Sequence, residues 1–309
     1  MRLCTFSLAD EDLRKSRVGL VVGTRVFEVE GKRSMVEHLV SGSGKVLPMG
    51  DGHELSTVRI YAPVPRPGKI VAAIVNTKGM LGGDDASLDR PRLDMKAPST
   101  VVGTGTRIIA PVSGVRPEVE LAAVIGRSLT KATPKESLEG IAGYTVLNDV
   151  TAPRDSKDDA YEAYRRDAKT GEIRKALMRG PLFRSKNHDG FCPMGPYLVT
   201  PEELGGSEAL RMTTRFDGQL VQDGSTKEYI FRPEELASYV SGFLTLEPGD
   251  VVSCGSVGWT REAIGNNDPT EFVLNGQRGV LEVEIERIGV LANILEPERP
   301  RLGGQTGED

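Results

Sequence analysis

Glu118 and Glu120 lie two residues apart in VRPEVELAAVIGR (115–127), a stretch that is otherwise largely apolar. Extended backbone sends alternate side chains to opposite faces, so both carboxylates would share one face of a strand. Two like charges a few ångströms apart on a buried face are unstable unless something offsets them. Protonation, basic side chains or a bound cation can each do so. Arg116 has matching strand parity, so an ordinary ion-pair cluster is one reading, and a solvent-facing Glu120 is a blander one. Asp149, at the end of the apolar run YTVLNDVTA, supplies a third carboxylate. With no His or Cys beside them, the three form an all-oxygen donor set. Such a set suits Mg²⁺, Mn²⁺ or Ca²⁺ rather than zinc, and Mg²⁺ keeps water positions that substrate oxygens can occupy.

The elements that must position these residues are mostly strands. RVGLVVGTRVFEV reads as a hairpin around Gly23-Thr24, and SMVEHLVSG as a short helix. The proline-dense PVPRPG (63–68) reads as a boundary, and KIVAAIV after it as a buried strand. Residues 76–99 have no clean period and read as a mobile loop or a short-helix lid. TRIIAP, GYTVLNDVTA, VVSCGSVG and GVLEVEIERIGVLANIL read as strands, the last as two around Gly289. TPKESLEGIAG carries a capping box, with Thr133 as N-cap, Pro134 first in the helix and Glu136 reaching back; TPEELGG repeats the pattern. The charged segment DDAYEAYRRDAKTGEIRKALMRG reads as a surface helix or an insertion, and RPEELASYVSGF as a helix. The expected organisation is a small β-rich unit (1–66), a main domain (67–296) and a flexible tail (297–309), in a β-rich α+β fold.

The 309 residues are enough to bury a substantial core. A net charge of −5 without a basic run argues against nucleic acid as the main partner. Cys4, Cys192 and Cys254 form no CxxC pair, which points to a reducing cytoplasm. The first residues lack a signal-peptide core, and no apolar run reaches membrane-spanning length. SGSGK (41–45) lacks the glycine spacing and the following Ser/Thr of a phosphate loop. Ser256, near Cys254, has no His–Asp relay close in sequence. His188 is the sole histidine after residue 68. An unperturbed imidazole titrates near ~6.5 and can serve as a base, although a hydrogen-bonded turn histidine is the plainer reading.

Six segments occur in a telling order: RPEVELAAVIGR, GYTVLNDVTA, KNHDGFCPMGPYLVT, LVQDGST, LEPGDVV and EVEIERIGVLAN. Together, over roughly residues 69–296, they resemble the fumarylacetoacetate hydrolase family. The resemblance implies a mixed β-roll or barrel core and a homodimer. It also implies one Mg²⁺ or Mn²⁺ held by Glu118, Glu120 and Asp149, which chelates the carboxylate and 2-oxo oxygens of a small 2-oxo acid. Lys186 matches the family's active-site lysine, and Asp189 an aspartate that orients the lysine or serves structure. Lys96, Gln222 and the Gly255-Ser256 turn match positions that face substrate.

The sequence also departs from the family. Relatives carry N-Y-x-x-H after the first core strand, with a Glu three residues later; this His–Glu dyad activates water in the hydrolases. Here the segment reads NTKGM, so Thr77 replaces the tyrosine, Met80 the histidine and Gly83 the glutamate. Asp84, Asp85 and Asp89 are candidate substitutes. The resemblance places hydrolysis of a C–C bond in an acylpyruvate-like substrate first. The missing dyad raises isomerisation, dehydration of a 2-keto-3-deoxy sugar acid or decarboxylation, and also a non-catalytic ligand-binding relative.

Overall fold

The computed structural model describes residues 1–31, 34–42, 46–48, 50–83, 85, 87–265 and 272–299. Residues 43–45 of the SGSGK stretch, Asp84 and the tail from residue 300 lie outside the described residues.

Two large sheets and a separate two-stranded hairpin build the molecule among the described residues. In the larger sheet, Arg2–Leu8, Cys192–Val199, Ile141–Asn148, Val119–Ile125, Val251–Ser256 and Ile70–Val75 are successive neighbours. The second sheet orders Gln219–Ser225, Arg211–Phe216, Gly279–Ile285, Gly289–Pro297 and Arg107–Ala110. Each runs as an open path, and neither closes into a barrel among the described residues. Val119, Leu121 and Val146 of the first sheet pack with Met212, Val283 and Leu291 of the second in one core. The opposite face of the first sheet, with Ala122, Val124 and Leu147, packs against Leu3, Leu20 and Met35 from the start of the chain. Val119–Ile125 is therefore buried on both faces, which is why it is apolar at nearly every position.

The Gly23-Thr24 hairpin forms as expected, pairing Val22 with Arg25, and Gly23 takes the positive φ of 58° that such a tight turn requires. The 63–68 stretch does not separate two sheets: Arg2 and Leu3 pair with Val199 and Leu198 of the core. The Thr133 capping box is complete on Pro134–Gly140. The one expected at Pro201–Leu204 is absent, because the Thr200 hydroxyl accepts the N-terminal amine of Met1 at 2.6 Å instead of capping its helix. The charged insertion is a two-stranded hairpin, Tyr161–Arg166 with Ile173–Met178, not a helix. Its charges mimic helical spacing, but Asp167 accepts from the Lys169 and Thr170 backbone N–H groups and Gly171 sits at φ 73°, so the chain reverses. No helix among the described residues is long and apolar enough to cross a membrane. The three cysteines are free and buried.

Candidate metal centre

Strand register explains why the three carboxylates meet. Val119 pairs with Asn148, and the ladder continues past the strand ends, with Asp149 N–H donating to the Glu118 carbonyl at 2.9 Å and Arg116 bridging Thr151. Asp149 thus lies across from Glu118, and Glu120 lies one pleat along on the same face. Carboxylate oxygens of Glu118, Glu120 and Asp149 come within 4.8 Å of one another, and all three residues are buried. On the other edge the ladder to Val251–Ser256 bulges between Glu120 and Ala122. Gly255 turns there at φ 93°, where an added Cβ would meet that of Asn76 at 2.8 Å. The bulge aims the Gly255 N–H (3.1 Å) and the Ser253 hydroxyl (2.5 Å) at Glu120 Oε2.

Cations surround the cluster. Lys186 Nζ lies 2.5 Å from Asp149 Oδ2, 3.1 Å from Glu118 Oε2 and 3.0 Å from Thr151 Oγ1. Lys96, whose side chain is fully buried, donates to Asp149 Oδ1 at 2.6 Å and to the Lys186 carbonyl at 2.7 Å. Arg116 Nε lies 3.1 Å from Glu118 Oε1, a charge contact without the alignment of a hydrogen bond. The expected ion-pair reading and the expected metal reading therefore describe the same cluster. The reading of Glu120 as solvent-facing is overturned, since it is 1% exposed.

Burial pushes the Glu120 carboxyl up to about 8, and the neighbouring Asp149 charge adds to it. Burial acts upward on Asp149 too, but the Lys186 and Lys96 ammoniums prevail and hold it down at about 2. For Lys186 burial works to lower the pKa; Asp149, Glu118 and Glu120 outweigh it and hold the amine as an ammonium, above the usual lysine range. At neutral pH Glu120 therefore keeps a displaceable proton while Asp149 is ionised. Three convergent oxygens with an exchangeable proton fit a hard divalent cation at about 2.1–2.5 Å from each.

The remaining expected site residues divide. Lys96 is committed to Asp149 rather than open to a ligand. Gln222 is wholly buried and fully engaged. Its Oε1 accepts from Val119 N–H (3.0 Å) and Thr214 Oγ1 (2.7 Å), and its Nε2 donates to Ser256 Oγ (3.0 Å) and the Val257 carbonyl (2.7 Å). It fastens the Glu118–Glu120 segment to the Ser256 turn. The Gly255 N–H, expected to meet substrate, serves Glu120. His188 Nε2 pairs with Asp155 Oδ2 at 2.8 Å and its ring lies against Phe191, which ties it to the 153–158 helix. Asp189 is exposed in the following turn, and no described hydrogen bond links it to Lys186.

Two residues of the cluster escape the sequence reading. Thr151 shares parity with Asp149, a signal that was available. Ser253 shares parity with Gly255, but only the bulge turns it toward Glu120. The lid begins with Asn76 and Thr77 pinned: Asn76 Nδ2 donates to the Cys254 and Phe231 carbonyls at 2.8 Å, and Thr77 Oγ1 to the Ser256 carbonyl at 2.7 Å. Beyond them the Lys78–Leu81 helix carries Met80, and Arg92–Lys96 is a strand paired with Ile70–Val75, so the 76–99 segment is not loop throughout. Asp89 pairs with Arg92 at 2.9 Å. A cleft of ≈ 890 Å³ lies elsewhere, between Leu13, Arg17, Met35 and Val64, far in sequence from the carboxylates.

Residues 70–296 match the family profile described as Fumarylacetoacetate (FAA) hydrolase C-terminal. Over 294 residues the chain is 31% identical to the oxaloacetate tautomerase FAHD2B, mitochondrial, of Bos taurus, covering 91% of this chain and 85% of that protein. The fold matches the fumarylacetoacetate hydrolase EaFAH from psychrophilic Exiguobacterium antarcticum with a TM-score of 0.78 and 27% identity, over 96% of this chain and 100% of the other. It also matches a maleylpyruvate hydrolase from Sphingobium sp. SYK-6, solved in complex with manganese(II) and pyruvate, with a TM-score of 0.68 over 97% of this chain and 100% of that one; at 20% identity this likeness concerns the fold. Matching profile, similar relatives and shared fold agree: the chain belongs to the fumarylacetoacetate hydrolase family.

Proposed function

We propose that this protein is a divalent-metal-dependent enzyme that interconverts the keto and enol forms of a small 2-oxo acid. The observation that carries the reading is the three carboxylates and Lys186 assembled and buried together, set beside a sequence that has Met80 and Gly83 at the positions of the family's water-activating dyad. Mg²⁺ or Mn²⁺, held by Glu118, Glu120 and Asp149, would act as a Lewis acid toward negative charge developing on the substrate's oxygens. Lys96 and Lys186 fix Asp149, while Gly255 N–H and Ser253 fix Glu120, so the ligands are oriented before substrate arrives. Lys186 Nζ is the proton carrier. As an ammonium it gives a proton to C3 of the enol and recovers one from the enol hydroxyl. Thr151 Oγ1, 3.0 Å away, holds the amine in place.

The resemblance to an oxaloacetate tautomerase supports this order. Hydrolysis of an acylpyruvate is the second reading, supported by the likeness to EaFAH. The two are separated by NMR in D₂O with the Mg²⁺-loaded protein. Tautomerisation predicts catalysed exchange of the C3 protons of a 2-oxo acid and no cleavage of an acylpyruvate. Cleavage products appearing without faster exchange would overturn the first reading in favour of the second.

A further inference from the structure

Trp259 is the chain's sole tryptophan. Its indole Nε1–H is buried and has no acceptor among the described residues. A buried, unpaired N–H is costly and needs an explanation. The indole lies against the Arg116 guanidinium, whose Cζ is 5.0 Å from the ring centroid. Arg116 in turn touches Glu118 through Oε1, whereas Lys186 and Thr151 bond the other oxygen, Oε2. A guanidinium with an indole against it thus adjoins one metal-ligand carboxylate, at the oxygen that Lys186 leaves.

The indole is held firmly. Trp259 bridges Gln222, Thr260 N–H donates to the Val221 carbonyl at 2.8 Å, and the Phe272 ring packs 5.9 Å away, centroid to centroid.

We propose that Arg116 and Trp259 form a distal subsite that receives a carboxylate at the far end of the substrate, so that the site selects dicarboxylic over monocarboxylic 2-oxo acids. The Trp259 N–H donates to that carboxylate and the Arg116 charge attracts it. The proposal rests on the 2-oxo-acid reading of the metal centre.

Matched ligands test it, with binding followed by calorimetry and by emission of the single tryptophan in the Mg²⁺-loaded protein. Oxalate probes the metal end alone. 2-Oxoglutarate against 2-oxopentanoate, and oxaloacetate against 2-oxobutyrate, differ only by the distal carboxylate at two chain lengths. In at least one pair the dicarboxylate binds about tenfold or more tightly, the worth of a charge-assisted N–H···O bond, and shifts the emission. Trp259→Phe, which keeps the ring and loses the donor, brings that ratio towards one. Arg116→Lys, which keeps the charge and loses the planar stack, lowers it as well and stands in if the first variant fails to fold. Failure of oxalate to bind would overturn the 2-oxo-acid reading and the subsite with it. Normal oxalate binding with equal affinities within both pairs, or a ratio that survives both substitutions, would overturn the subsite alone.

Discussion

The carboxylate cluster and the lid lie within one site but are built differently. At the cluster Lys96, Lys186, Glu118 and Asp149 are buried and linked directly or through Thr151, and buried Glu120 beside them is held by Ser253 and Gly255. The lid, after its pinned start at Asn76 and Thr77, is a single helical turn ending at Gly82 in left-handed conformation, with Lys78 exposed. Ordering buried charges requires a supporting shell on every side. A lid that carries no base needs only to cover. The groups that could hold a cation are therefore concentrated on the sheet.

If that contrast holds, the largest effect comes from Asp149→Asn. It removes the charge that balances two buried lysines, and stability should fall by about 3–5 kcal/mol. The urea midpoint of the metal-free protein reads the loss, and Mg²⁺ binding should disappear with it. Lys186→Met comes next. Turnover should drop roughly 10²–10⁴-fold while calorimetry still detects bound Mg²⁺; an unchanged rate would show that the proton moves by another route.

Glu120 gives the pH dependence. In the metal-free protein its carboxyl keeps its proton up to about pH 8, and a bound cation must expel it. Affinity for Mg²⁺ should climb about tenfold per pH unit below 8 and level off above. Titrations in buffers of different ionisation heat would show the released proton. The metal-free fold behaves oppositely. Its Glu120 pKa is raised above the unfolded value, so this contribution to stability is full below pH 4.5 and is lost as pH rises through about 8.

The smallest effect is assigned to the lid. Met80→Ala and Lys78→Ala should change turnover by no more than a few-fold, against the 10²-fold or greater loss expected of a general base. A larger loss would mean that the lid contributes to the chemistry and would break the contrast. Replacing Gly83 by Glu is a poorer probe: Gly83 sits at φ 144°, where a side chain is strained, so the backbone itself disfavours a glutamate there.

The sequence alone determined the central strands and the three candidate carboxylates. Alternation in 115–127 placed Glu118 and Glu120 on one face, and the apolar run before Asp149 delivered a third carboxylate to a strand end. These are local properties, because strand parity is a short-range rule. The Thr133 capping box and the Gly23-Thr24 hairpin were legible for the same reason. The charged insertion was not, because charge spacing alone does not distinguish a surface helix from a hairpin whose turn is held by Asp167 and Gly171.

Tertiary structure decided what each polar group is for. Ser253 reaches Glu120 across 133 residues, and Gln222 reaches Val119 across 103. A bulge turned the Gly255 N–H towards Glu120, and a wholly buried setting committed Lys96 to Asp149. Trp259 acquired its place beside Arg116 only through the bridge to Gln222. Residue types and their spacing specify which groups can bind a cation. Sheet register and burial specify which neighbours hold those groups, and so what charge they carry.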